Sequence, residues 1–144
     1  MDISDLLQKA ASGSAVAQTI LGTCYLDGIN VKVNHEEAFR LLSAAADQGS
    51  PRAKMNLARM YAEGLSTSKN IHQAIDLYEE AAGAGEFLAQ VQLGRIYSRG
   101  AGIEANIHEA RKWYSAAAAQ ETSVGDCEEI REAKGYLLDN AHLK

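Results

Sequence analysis

Apolar and small residues return along this chain at an interval of 36 positions. Leu21, Leu57 and Leu93 are so spaced, as are Tyr25, Tyr61 and Tyr97; Gly28, Gly64 and Gly100; Asn34, Asn70 and Asn106; and Ala38, Ala74 and Ala110. Ala17, Ala53 and Ala89 keep the same step, and so do Gly22, Ala58 and Gly94. A fixed period between about 20 and 50 residues marks a stacked array in which each unit packs only on its neighbours. The units run over residues 14–49, 50–85 and 86–121.

Each unit predicts two helices. The first carries Ala17, Leu21, Cys24 and Tyr25, whose spacings of three and four keep one face apolar; Met60 and Ile96 stand at the cysteine position in the other units. Glycine inside a helix costs about 1 kcal/mol against alanine. The small residue at positions 22, 58 and 94 therefore predicts a neighbouring backbone that leaves no room for a side chain. Gly28, Gly64 and Gly100 stand where each first helix ends, in the left-handed conformation that glycine tolerates. After five loop residues comes an asparagine, and three residues later a Glu or Gln: Asn34 with Glu37, Asn70 with Gln73, Asn106 with Glu109. That is the form of a capping box, in which the asparagine accepts from a first-turn amide and the Glu or Gln reaches back to the cap amide. The second helices carry Ala38, Leu41, Leu42 and Ala45; Ala74, Leu77, Tyr78 and Ala81; and Ala110, Trp113, Tyr114 and Ala117. Gly49 and Gly85 close the first two of them.

The ends depart from the period. Leu6, Leu7 and Ala10 before Gly13 match only the last turns of a second helix, so residues 1–13 form an N-terminal capping half-repeat. Residues 122–144 form a C-terminal capping helix with a stripe of Cys127, Ile130, Lys134, Leu137 and Ala141, and Ile130 stands where the period would place Gly22 or Gly94. Terminal units with atypical faces are expected in arrays, because they shield the last apolar surface. The expectation is an all-α chain folding as a single solenoid domain over residues 1–144.

Composition narrows the function classes. The formal net charge of -5 over 144 residues argues against broad nucleic-acid binding. Cys24 and Cys127 match neither a metal-ligand spacing nor a disulfide framework, which suits a reducing compartment. The N-terminus has no cationic region followed by an apolar run, and no stretch approaches the roughly 20 apolar residues needed to span a bilayer. A soluble, cytoplasmic protein without membrane contact is expected.

The pattern Ala-x3-Leu-Gly-x2-Tyr-x2-Gly, then a loop, an alanine and an Ala-Ala pair, resembles the Sel-1-like repeat, a longer-looped relative of the tetratricopeptide repeat. Leu21-Gly22, Tyr25 and Gly28 carry it, as do Leu93-Gly94, Tyr97 and Gly100, with Trp113-Tyr114 before Ala116-Ala117. Ala58 replaces the glycine, Leu41 and Leu77 the tryptophan, and Glu121 the closing glycine. The resemblance implies a right-handed α-α superhelix of three helix pairs with terminal capping helices, and an adaptor or scaffold in protein complexes. Similar bacterial proteins are linked to signalling, envelope regulation, host interaction and immunity to toxic effectors. Some secreted members carry a disulfide in each unit; this chain lacks those cysteine pairs.

In such solenoids the first helices line the concave side. With Leu21, Cys24 and Tyr25 turned into the stack, the remaining first-helix positions hold Val16, Ile20, Thr23 and Asp27; Arg52, Asn56, Arg59 and Glu63; and Leu88, Gln92, Arg95 and Arg99. These vary between units while core positions stay fixed, as a read-out surface would. Guanidinium groups bind carboxylates through two bonds, and Asn56 and Gln92 can pair with a peptide backbone. The expected partner is thus a protein or peptide, with an acidic segment or chain terminus in this groove, and the protein itself a monomer. The other reading of the same residues is a solvated face whose arginines pair with nearby carboxylates.

Catalytic and metal chemistry find little support. His35, His72 and His108 fall in first turns of second helices, separated along the stack by the period, and His142 is near the terminus. Gly100-Ala101-Gly102 follows a helix and so is no phosphate loop. Asp126, Glu128, Glu129 and Glu132 read as a solvated acidic helix start. No nucleophile with a paired base stands out, so no cofactor, metal or catalytic residue is assigned. Three alternatives stay open: an immunity protein that neutralises a toxin, a weak hydrolase of the penicillin-binding type credited to some relatives, and a structural piece that self-associates through an open solenoid end.

Overall fold

The computed structural model describes residues 2–142, and among them every regular element is helical. The order is α1 (Ile3–Ala11), α2 (Ala15–Asp27), α3 (His35–Asp47), α4 (Pro51–Glu63), α5 (Ile71–Gly83), α6 (Phe87–Arg99), α7 (Ile107–Ala118), α8 (Glu121–Val124) and α9 (Glu128–Asp139). This is the helix-pair order of a helical-repeat solenoid. The chain divides into two compact units, Met1–Ala81 and Ala82–Lys144.

Within the first unit α2 packs on α1, α3 and α4, and α3 on α4. The α1–α3 core gathers Leu6, Ala10, Ala17, Leu21 and Leu41 around small residues, with Ile3 and Tyr25 at its edge. Within the second unit α6 and α7 pair and α9 closes over both. Its core joins Val91, Tyr114, Ala117 and Ala133, flanked by Phe87, Tyr136 and Leu137.

The first helices end as the sequence predicts. Gly28, Gly64 and Gly100 adopt φ of 72°, 70° and 67°, and each donates its amide to the carbonyl four residues back. The crowding at positions 22 and 94 is also present, but its source differs from the expectation. A Cβ on Gly22 would lie 2.7 Å from Leu42 Cγ, and one on Gly94 2.9 Å from the Tyr114 ring. A second-helix side chain occupies the space, not a neighbouring backbone.

The asparagine caps form half of the predicted box. Asn34 and Asn70 accept from Glu37 and Gln73 amides at 3.2 and 3.1 Å, and Asn106 from both His108 and Glu109. The cap amide itself goes elsewhere: Asn34, Asn70 and Asn106 donate to the carbonyls of Tyr25, Tyr61 and Tyr97 at 2.8–2.9 Å. With that donor already satisfied across the loop, Glu37 turns instead to Arg40, and its carboxylate takes both Nε and an NH2 proton. Each loop is thereby pinched at its neck. Inside it, one residue is left-handed every time: Asn30, Ser66 and Gly102, at φ of 62°, 59° and 81°.

The C-terminal stripe is rotated from its predicted course. Ile130 and Ala133 are fully buried, and Tyr136 stacks on Tyr114 with ring centroids 4.8 Å apart. Lys134 points outward and pairs with Glu121 at 2.6 Å. The apolar core with α7 is joined at 133, 136 and 137, and 134 lies at the edge of that face, exposed.

Candidate interaction surface

Apart from Asn56, which is buried, the sequence-selected positions are exposed or half-buried, and several are engaged with each other. Along the α2–α4 seam, Thr19 Oγ1 lies 3.0 Å from Ser50 Oγ, Asn56 Nδ2 donates to Thr23 Oγ1 at 2.9 Å, and Arg59 donates to Asp27 at 2.8 Å. Residues 19, 23 and 27 are successive turns of one helix, so the pairs form a ladder along it. Glu63 adds a second carboxylate to Arg59 at 3.5 Å. Burial penalises the Arg59 charge, but the Asp27 hydrogen bond and both carboxylates outweigh that and raise its pKa. Beneath the seam, burial pushes the Tyr78 phenol up to about 12, with the Glu63 charge adding to it and Arg59 opposing.

Asn56 is thus buried, with its amide group turned to Thr23. Ile20, Asp27, Arg52 and Glu63 are exposed, and Thr23 and Arg59 half-buried. The variation between units at these positions has a structural component: each polar pair must be matched across the seam.

In the second unit Gln92 and Arg95 are half-buried and Arg99 is exposed. Arg95 Nε meets both oxygens of Glu132 at 3.2 and 2.9 Å, and Tyr114 Oη donates to the same carboxylate at 3.3 Å. The hydrogen bond to Glu132 raises the Arg95 pKa; burial first, and then the Glu132 charge, raise that of Tyr114. The expectation that Glu132 is only solvated is corrected here. It lies on α9, outside the 36-residue register, so superposing the units could not bring it to Arg95.

A second set of residues escaped the sequence reading. Gln18 is buried and donates to Ala10 O at 3.3 Å, while Gln48 Nε2 donates to Gln18 Oε1 at 2.9 Å and to Gly13 O at 3.0 Å. In the second unit Gln90, Gln120, Ala82 and Gly85 repeat the arrangement bond for bond, at 2.8–3.1 Å. The signal was a 72-residue recurrence, Gln18 to Gln90 and Gln48 to Gln120, with Lys54 and Ala84 in the middle repeat. Lys54 pairs with Glu80 at 2.9 Å instead. These glutamines add side-chain donors to helix-end carbonyls, of which Ala10 O and Ala82 O also accept from the Gly13 and Gly85 amides.

The histidines offer no centre: His72, His108 and His142 are exposed and His35 is half-buried in the first turn of α3. Cys24 is buried and Cys127 half-buried, both as free thiols. Among the described residues no group of His, Cys, Asp and Glu is placed to hold a metal ion, and no helix is long and apolar enough to cross a membrane.

Compared with known families, residues 15–50, 51–86 and 88–121 each match the Sel1 repeat. The chain belongs to the Sel1 repeat family. The crystal structure of a Sel1 repeat protein from Oxalobacter formigenes is similar over 96% of this chain and 98% of that one, at 40% identity and a TM-score of 0.75. The structure of c5321, a protective antigen present in uropathogenic Escherichia coli strains and displaying an SLR fold, matches 94% of this chain at 26% identity and a TM-score of 0.74, over 32% of its own length. No curated protein matches the chain. Sel1 repeat proteins generally mediate protein–protein interaction, and this Sel1 chain has the helix-pair surfaces to do so.

Proposed function

We propose that this Sel1 repeat protein is a non-catalytic adaptor whose first-helix faces dock an acidic segment of a protein partner. The observation that carries this reading is the strip along α2. Val16 and Ile20, on successive turns, leave 69% and 42% of their surface in water, and the strip ends in the Asp27–Arg59–Glu63 cluster. A segment laid on it meets apolar contact at one end and charge at the other, which sets its direction. The Arg59–Asp27 pair is 41% and 36% exposed, so its internal bond contributes about 0.2–1 kcal/mol and yields readily to a partner's carboxylate. In the second unit Leu88, Gln92 and Arg99 line the corresponding face, while Arg95 is already held by Glu132. Two unpaired thiols fit a reducing, cytoplasmic setting for a monomeric adaptor.

The test is affinity capture followed by identification of the bound protein, with Ile20→Glu and the paired Asp27→Ala/Arg59→Ala variants beside the wild type. Both sites are at the surface, and helicity and melting temperature are expected to hold. Recovery of the wild-type partner is expected to fall at least tenfold in each variant. Full recovery by folded variants overturns the reading.

A further inference from the structure

The outer side of α9 carries a face that the core does not use. Ile130 and Ala133, both without exposed surface, fix its inner side. At about 100° per residue, the opposite side gathers Arg131, Gly135, Leu138 and Asp139. Leu138 leaves 77% of its surface in water, more than any other large apolar side chain among the described residues. With Leu137 and Lys134 it walls a shallow apolar hollow of about 340 Å³.

Gly135 decides what this face fits. A glycine in a helix interior is destabilising relative to alanine. At Gly22 and Gly94 a packed side chain accounts for it, but a Cβ on Gly135 would meet nothing within 4 Å. No contact among the described residues calls for glycine there. Its steric use is outward, where it lets a second helix approach to the near end of the interaxial range, about 8 Å. The charges around it are symmetric. Arg131 stands four residues before Gly135 and Asp139 four residues after, about one turn to either side. Two copies of α9 crossing antiparallel at Gly135 therefore set Arg131 of each against Asp139 of the other. Leu138 of each then rests on the aliphatic stem of the other copy's Arg131. A parallel crossing would set like charges together. Arg131 now meets Asp126 at 3.7 Å, with 67% of both side chains in water, so it is able to exchange partners.

We infer that the outer face of α9 docks a second copy of this chain, antiparallel across a two-fold axis at Gly135. One helix pair falls short of the roughly 1,200–2,000 Å² of a stable interface, so the pairing is weak and the dilute protein is a monomer. Its use rests on the adaptor reading: two paired copies hold a partner with two docking segments more tightly than either copy alone. The pairing itself is read by self-association and the adaptor role by partner capture, so either can fail without the other.

The experiment is sedimentation equilibrium of the full chain over a rising concentration series, with amide shifts of the ¹⁵N-labelled chain followed on dilution. A monomer–dimer equilibrium is expected, with dilution shifts confined to Arg131, Gly135, Leu138, Asp139 and their neighbours on α9. Gly135→Gln meets no neighbour and favours the helix, so its melting temperature is expected to be kept or raised while self-association weakens at least tenfold. Arg131→Asp and Asp139→Arg are each expected to weaken self-association to the same degree. Mixed together, those two single variants are expected to pair at least as tightly as the wild type, because both crossed contacts again join opposite charges. A wild type that stays monomeric at the highest attainable concentration overturns the proposal. So does undiminished self-association of Gly135→Gln, or failure of the two charge variants to pair when mixed. A captured partner lost by Gly135→Gln, with self-association unchanged, places a different protein on this face and overturns it too.

Discussion

Arg59 and Arg95 occupy one repeat position, yet they are held in opposite ways. Arg59 reaches back to Asp27 on the preceding first helix and shares its charge with Glu63, in a pair more than a third exposed. Arg95 reaches forward to α9, where Glu132 takes it through both oxygens and a tyrosine hydroxyl joins, with 27% and 30% of the two side chains in water. The glutamine clamps show the contrary behaviour, since Gln18 with Gln48 and Gln90 with Gln120 make the same bonds. The glutamines bind helix-end backbone and each other, and both partners recur 72 residues on. The arginines bind side chains, which differ with the neighbour. Recurrence in sequence therefore carries over to recurrence in structure only where the partner is itself a repeated feature.

The terminal helix offers the strongest way to break this contrast. If α9 is anchored by burial more than by charge, Ile130→Ala, at a side chain with no exposed surface, is expected to lose about 2–5 kcal/mol. Denaturant unfolding measures it. A loss under 1 kcal/mol would mean that burial of Ile130 is not what anchors α9.

The arginines themselves come next. A double-mutant cycle on Arg95 and Glu132 is expected to give a coupling of about 1–2 kcal/mol, and one on Arg59 and Asp27 less than about 1 kcal/mol. Equal couplings would remove the distinction between a seam inside the array and the seam at its cap. Raising the salt concentration should weaken the Arg59 pair more, because it is the more exposed.

The helix pairs, the left-handed glycines and the asparagine caps were legible because each depends on residues within one unit. Loop residue 66 was not, although it obeys the same period. Serine at φ of 59° sits where Asn30 and Gly102 adopt the same conformation, and only glycine announces it in sequence. Likewise Asn56 looked free for a partner because its bond to Thr23 spans 33 residues, and Glu132 looked solvated because α9 leaves the register. Side-chain pairs across a seam have no local signature. The smallest expected effect follows from the shared loop: Ser66→Gly relieves a conformation that L-residues resist and is expected to gain about 0.5 kcal/mol net of its unfolded-state entropy, read as a rise in melting temperature. No gain would indicate that serine is held there without strain.

The amide of each cap asparagine, bonded to a tyrosine carbonyl across the loop neck, has a mechanical consequence. Load entering one of these loops meets the crosslink before it reaches either helix, much as a cleat takes the strain off a line. The enclosed residues can then be lengthened, shortened or exchanged while the helix register outside is kept, because closure entropy grows only slowly with loop length once the ends are tied. Each repeat thus has a replaceable segment with fixed terminals.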